Sequence, residues 1–155
     1  MRILLAAGIA LLLSACDSAR VYDKNEQIKN GAWMYDQPKS FSITIQDTAE
    51  VYNMFINVRH SDMYAYNNLL MRMQTVFPDS TMQSDNINVV LSESSGKWTG
   101  SCIDNVCYNS VLIRSAFTFP EPGTYTFILT QDMRIDPITE IMDVGMKIEK
   151  FGVVE

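Results

Sequence analysis

From residue 40 onward the sequence keeps a period of two, and this restricts the chain to strands with one buried face. Phe41, Ile43 and Ile45 alternate with Ser42 and Thr44, and Tyr52, Met54, Ile56 and Val58 share a parity opposite Asn53 and Asn57. The same alternation sets Leu69, Met71, Met73, Thr75 and Phe77 against the largely polar face of Leu70, Arg72, Gln74 and Val76, and Ile87, Val89 and Leu91 against Asn86, Asn88, Val90 and Ser92. It returns at Val111, Ile113 and Phe117, at Tyr125, Phe127 and Leu129, and at Val144, Met146 and Ile148. Successive side chains of a strand point to opposite faces, so each run offers one apolar face to a core and one polar face to water. Antiparallel sheets covered on one side have this pattern.

The connections carry turn chemistry. Gln46-Asp47-Thr48, Pro78-Asp79-Ser80, Ser94-Ser95-Gly96 and Pro120-Glu121-Pro122-Gly123 separate the runs. Pro78 and Pro120 each stop a strand, because proline cannot donate to the ladder. An edge strand is expected near Val21–Asp23. The single helical signal is Asp136-Pro137-Ile138-Thr139-Glu140-Ile141, where Asp fits an N-cap and Pro the first helical position. The expected fold is an all-β antiparallel β-sandwich, jelly-roll-like, with seven or eight strands and one short helical turn.

The first sixteen residues, MRILLAAGIALLLSAC, have a separate purpose. Arg2 precedes an apolar run of eleven residues, Ile3 to Leu13. A transmembrane helix needs about 20 residues, so the run suits a cleaved secretory signal. Leu13-Ser14-Ala15-Cys16 also fits a lipobox. Small residues flank the cut, and the freed Cys16 thiol accepts a diacylglycerol. The alternatives are a plain signal peptide with an incidental cysteine, or a short core helix. The expected organisation is a lipoprotein signal peptide at 1–15, a lipidated polar tether at 16–32, and a β-sandwich domain at 33–155.

Charge decides how such a chain meets a membrane. Without residues 1–15, 11 basic and 18 acidic side chains remain, a formal charge of −7. An acidic body argues against nucleic acid and against electrostatic attachment to anionic lipid, which leaves the acyl chains as the anchor.

With Cys16 assigned to lipid, Cys102 and Cys107 remain. In an exported chain two such cysteines point to a disulfide. In Cys102-Ile-Asp-Asn-Val-Cys107, Asp104-Asn105 can form a two-residue hairpin turn flanked by Ile103 and Val106. Cys102 then faces Cys107 at the next, closer pair of the ladder. Two free thiols are the alternative. Metal binding lacks further ligands nearby.

No residues of the chain assemble into a recognisable catalytic group, and neither a metal nor another cofactor is expected. The one histidine, His60, ends a run beside Ser61 and Asp62 and reads as a surface or loop residue. Asp132, Asp136 and Asp143 lack the spacing of a calcium loop and read as turn, cap and salt-bridge residues, with Arg134 a candidate partner. Met54, Met71, Met73 and Met146 fall on apolar faces as core packing; His60 with Met63 is a weak copper pattern. Tyr64, Tyr66 and Trp98 form a candidate interaction surface. Trp98 sits in the glycine-flanked turn Gly96-Lys97-Trp98-Thr99-Gly100, where an exposed ring would stack on a sugar; the alternative is that these rings seal one end of the sandwich.

Taken in order, several segments resemble the gliding-motility lipoprotein GldH family of Bacteroidetes. They are Cys16-Asp17-Ser18, Trp33, Asn57-Val58-Arg59, Tyr66-Asn67-Asn68-Leu69, Phe77-Pro78 and Gly96 to Gly100. They continue as Phe119-Pro120, Gly123-Thr124-Tyr125-Thr126-Phe127, Gln131-Asp132-Met133-Arg134 and Asp143-Val144-Gly145. The resemblance implies a non-enzymatic cell-envelope lipoprotein needed for gliding and linked to type IX protein secretion. Its partners would be envelope proteins of a motility or secretion complex, and it brings no catalytic residues with it. The Cys102–Cys107 hairpin departs from the family pattern and reads as a local staple. The expected location is the outer membrane, lipid-anchored and facing the periplasm, with the inner membrane and the cell surface as the alternatives. The alternative function is a glycan-binding lipoprotein.

Overall fold

The computed structural model describes residues 19–152. Cys16, the signal stretch and the start of the proposed tether lie outside the described residues. Eleven strands are present among the described residues: β1 (Arg20–Gln27), β2 (Ala32–Trp33), β3 (Lys39–Ile45), β4 (Tyr52–Ser61), β5 (Asn68–Val76), β6 (Met82–Val90), β7 (Ser101–Ile103), β8 (Val106–Phe117), β9 (Gly123–Gln131), β10 (Ile138–Thr139) and β11 (Ile141–Lys150).

They form a five-stranded sheet in the order β1-β11-β4-β8-β7, a four-stranded sheet in the order β3-β9-β5-β6, and the small pair β10-β2. All pairs are antiparallel. Numbered among the eight long strands alone, one sheet runs 1-8-3-6 and the other 2-7-4-5, the interleaved order of a jelly roll. The alternating residues supply the core between the sheets. Met54, Ile56, Val58, Val144, Met146 and Ile148 from one sheet join Phe41, Leu69, Met71, Met73, Tyr125, Phe127 and Leu129 from the other in one buried cluster. Each such side chain contributes about 1.5–3 kcal/mol by leaving water, which makes this cluster the main source of stability.

Eight long strands are present, against an expected seven or eight; the short β2, β7 and β10 bring the total among the described residues to eleven. Two expectations are corrected. The polar stretch read as a tether is, from Arg20 on, the edge strand β1, hydrogen-bonded to β11 from Arg20↔Glu149 to Gln27↔Asp143. Both faces of β1 are largely exposed, so the strand has no alternation. Nor is there a helical turn at Asp136–Ile141. Ile138 is buried and pairs with Trp33, and Glu140 takes a positive φ of 69°. The Asp136 carboxylate instead accepts the Tyr35 amide at 3.0 Å and the Gln131 side-chain amide at 3.3 Å. Burying Ile138 against β2 outweighs the cap signal.

The Cys102–Cys107 disulfide is present and closes the β7–β8 hairpin with the two residues paired across the ladder, Cα atoms 4.0 Å apart. Asp104 makes the turn at φ 52°.

Candidate functional site

Two groups of polar and aromatic side chains stand out, one inside an end of the sandwich and one on an outer face. The first contains the three aromatic residues singled out in the sequence. His60 shares the parity of Tyr52 to Val58, so it points inward and is 0% exposed rather than a surface residue. Its Nδ1 lies 2.8 Å from the Ser61 carbonyl and its Nε2 3.1 Å from Asn109 Nδ2. A neutral ring that donates from Nδ1 and accepts at Nε2 satisfies both. Asn109 in turn takes a hydrogen bond from Thr99, 3.1 Å away. Burial holds the His60 pKa below its ordinary value, the Ser61 carbonyl opposing this in part.

Trp98 meets the His60 ring edge-on at 4.6 Å, and Tyr64 lies 5.7 Å from it. Tyr64 is 4% exposed and donates to the Asn68 carbonyl at 2.9 Å. Trp98 is half-buried, and Tyr66, 5.6 Å from Tyr64, is the exposed member at 39%. The three residues do come together, but around a buried histidine. They close the end of the sandwich, and Tyr64 offers no surface to a ligand.

Positions reading as solvent-facing form the second group. The outer face of the five-stranded sheet carries its side chains in rungs across four strands. Asn25, Gly145, Asn57 and Ser110 occupy one rung, and Gln27, Asp143, Arg59 and Tyr108 the next. Gly145 has no side chain, and Asn25 folds over it to reach Asn57; a Cβ at Gly145 would collide with Asn25 Oδ1 and with the Lys24 carbonyl. The Asn57 amide donates to Asp23 and Asn25 at 3.2 Å each, and Ser110 donates to Asn57 Oδ1 at 2.8 Å. This leaves Asn57 0% exposed on a face that should be wet.

A β-bulge places the acid in the second rung. Ile141 pairs with His60 and Asp143 with Arg59, so Met142 is an extra residue. The bulge lets Ile141 face the core while Asp143, two residues on, faces outward. Asp143 Oδ2 lies 2.5 Å from Arg59 Nη2, and Oδ1 is buried with no partner among the described residues. Burial lifts the Asp143 pKa above the ordinary carboxylate range although Arg59 pulls it down. Arg59 is half-exposed, so water screens part of its charge. Asn25, Gln27, Arg59, Tyr108 and Asp143 line an open depression of about 520 Å³. Beside it, Lys147 contacts Glu149 at 2.6 Å and sits 4.2 Å above the Phe55 ring.

Asp132 and Asp136 lie apart from Asp143, whose ion-pair partner is Arg59 and not Arg134. Met54, Met71, Met73 and Met146 are buried in the core, and Met63 is exposed. No local signal marked Asn25, Gln27 or Tyr108, because strand register alone brings them to Arg59 and Asp143.

Comparison with known proteins gives a consistent result. The family model described as GldH lipoprotein matches residues 20–148. The chain is 33% identical over 147 residues to the "Gliding motility lipoprotein GldH homolog" of Christiangramia forsetii, covering 90% of each chain. It is 26% identical over 148 residues to the "Gliding motility lipoprotein GldH" of Flavobacterium johnsoniae, covering 91% of each.

Proposed function

Because the chain belongs to the GldH lipoprotein family, we propose that it is a non-enzymatic, lipid-anchored envelope protein that supports gliding motility and the assembly of type IX secretion machinery. The observation that carries this reading is similarity over nine-tenths of the chain to two proteins named for gliding motility. In this reading residues 1–15 are the signal peptide and Cys16 takes the lipid. The acidic body supports the acyl chains as the means of attachment. The proposed location is the outer membrane, facing the periplasm. Envelope proteins of the motility or secretion complex are the proposed partners.

Ala19, the first of the described residues, is held in the fold by its carbonyl, which accepts the Lys150 amide at 2.8 Å. Three residues span at most about 11 Å. A lipid on Cys16 would therefore hold β1 close to the membrane surface, and partners would be met there rather than at the end of a long tether.

Deleting the gene in its native host tests the proposal. The expected result is loss of colony spreading, with reduced release of type IX cargo, both restored by the wild-type gene. Normal spreading and normal secretion in the deletion strain would overturn it.

A further inference from the structure

The outer depression has no part in the motility reading. It pairs two stretches that the sequence keeps more than eighty residues apart. Asn57-Val58-Arg59 and Asp143-Val144-Gly145 lie side by side in register, Asn57 against Gly145 and Arg59 against Asp143. Three features make this more than a solvated sheet face. The bulge at Met142 aims a carboxylate outward while keeping it 95% buried. One oxygen of that carboxylate is buried with no donor among the described residues, so the oxygen that faces Arg59 is the acceptor it offers to a ligand. The Gly145 gap lets Asn25 lie across the sheet, so the polar groups of β1 and β4 converge.

The chemistry of the lining selects a ligand. The Arg59 guanidinium, the Asn25 and Gln27 amides and the Tyr108 hydroxyl donate, while Asp143, the amide carbonyls and the tyrosine oxygen accept. Arg59 and Asp143 offset each other, so an anion would meet the carboxylate and a cation the guanidinium. A ligand whose neighbouring groups each donate and accept, and which carries no charge, satisfies the lining, and hydroxyls of a sugar do this. The Tyr108 ring is partly exposed and also borders a second depression of about 580 Å³, beside Val90, Ser101 and Leu112. The ring therefore stands between two adjoining hollows, as suits a chain of sugars. Among the described residues it is also the one aromatic ring lining either hollow.

We propose that this face binds a neutral oligosaccharide, with Asp143, Arg59, Asn25 and Gln27 taking hydroxyls and Tyr108 stacking on a sugar ring. The proposal is independent of the motility reading, and either can fail alone.

The test uses the full-length lipidated protein in a detergent without a sugar headgroup. It is applied to immobilised neutral glucan, mannan and xylan oligosaccharides, with polygalacturonate as the anionic control and a peptide library beside them. Retention on at least one neutral glycan is expected. Gln27→Ala and Tyr108→Ala should each weaken it about tenfold, the loss of one good polar or stacking contact. Tyr66→Ala, in the other aromatic group, should leave it unchanged. Thermal melting of each variant confirms the fold, and Gln27→Ala, on an exposed edge strand, decides the matter if Tyr108→Ala melts early. Absence of neutral-glycan binding, retention only on polygalacturonate or peptides, binding that is insensitive to Gln27→Ala, or binding lost in Tyr66→Ala would each overturn the proposal.

Discussion

His60 is the one histidine in the chain, so its imidazole can be followed by NMR without assignment ambiguity. It is buried, and its Nε2 receives the Asn109 amide, an arrangement that suits the neutral ring. Folding lowers its pKa, so the unfolded chain binds more protons in the window below about 6.5. This contribution to stability is therefore complete above about pH 6.5 and is lost as the pH falls through that window toward the folded value. The expected titration midpoint lies below 6.5; a midpoint at or above 6.5 would contradict the buried neutral ring. Trp98→Ala should admit water to the ring and raise the midpoint. It should also cost about 2 kcal/mol in urea unfolding, less than a fully buried tryptophan because the ring is half-exposed. At this scale the parity of Tyr52, Met54, Ile56 and Val58 already pointed His60 inward. The polar neighbours Ser61 and Asp62 obscured that, because the hydrogen bonds that make a buried histidine tolerable come from Asn109, 49 residues away.

Elements were legible wherever one face was dry. β3, β5 and β9 show alternating exposure over most of their lengths and β4 and β11 over part of theirs, and the sequence shows it too. β1 was not legible beyond a short edge strand, since its neighbour β11 recruits it through backbone bonds and its side chains are nearly all exposed. β2 and β10, two residues each, carry no period. The outer polar face stayed hidden for a related reason. Its residues occupy positions that alternation assigns to water, and only the register of β1, β11, β4 and β8 together with the Met142 bulge gathers them. Gly145→Ala tests that register. The added Cβ would press on Asn25 and on the β1 backbone, and the expected cost is about 1–3 kcal/mol, with β1 cleaved early in limited proteolysis. Stability and proteolysis like the parent chain would show that Asn25 has room to move aside. The β7–β8 disulfide closes a short ring, for which loop entropy predicts about 2 kcal/mol at most. Reduction should therefore lower the urea midpoint modestly and fray the β7 edge, as read by hydrogen exchange. Global unfolding on reduction would mean that the core depends on it.

At the scale of the whole molecule, a jelly roll with an acidic body is repelled by anionic lipid, so placement at a membrane is proposed to come from lipid on Cys16. Palmitate should label the wild-type protein and not Cys16→Ala; continued labelling of the variant would remove the anchor from the account. The proposed anchor at Cys16 rests on local sequence chemistry, whereas partners are recognised by surfaces assembled from distant strands. The most direct measurement is crosslinking in intact cells followed by affinity recovery and mass spectrometry, comparing wild-type protein with Cys16→Ala. Wild-type protein is expected to bring down envelope components of the motility or secretion machinery, and the unlipidated variant to lose them. Recovery of the same nonspecific background with both proteins would contradict it.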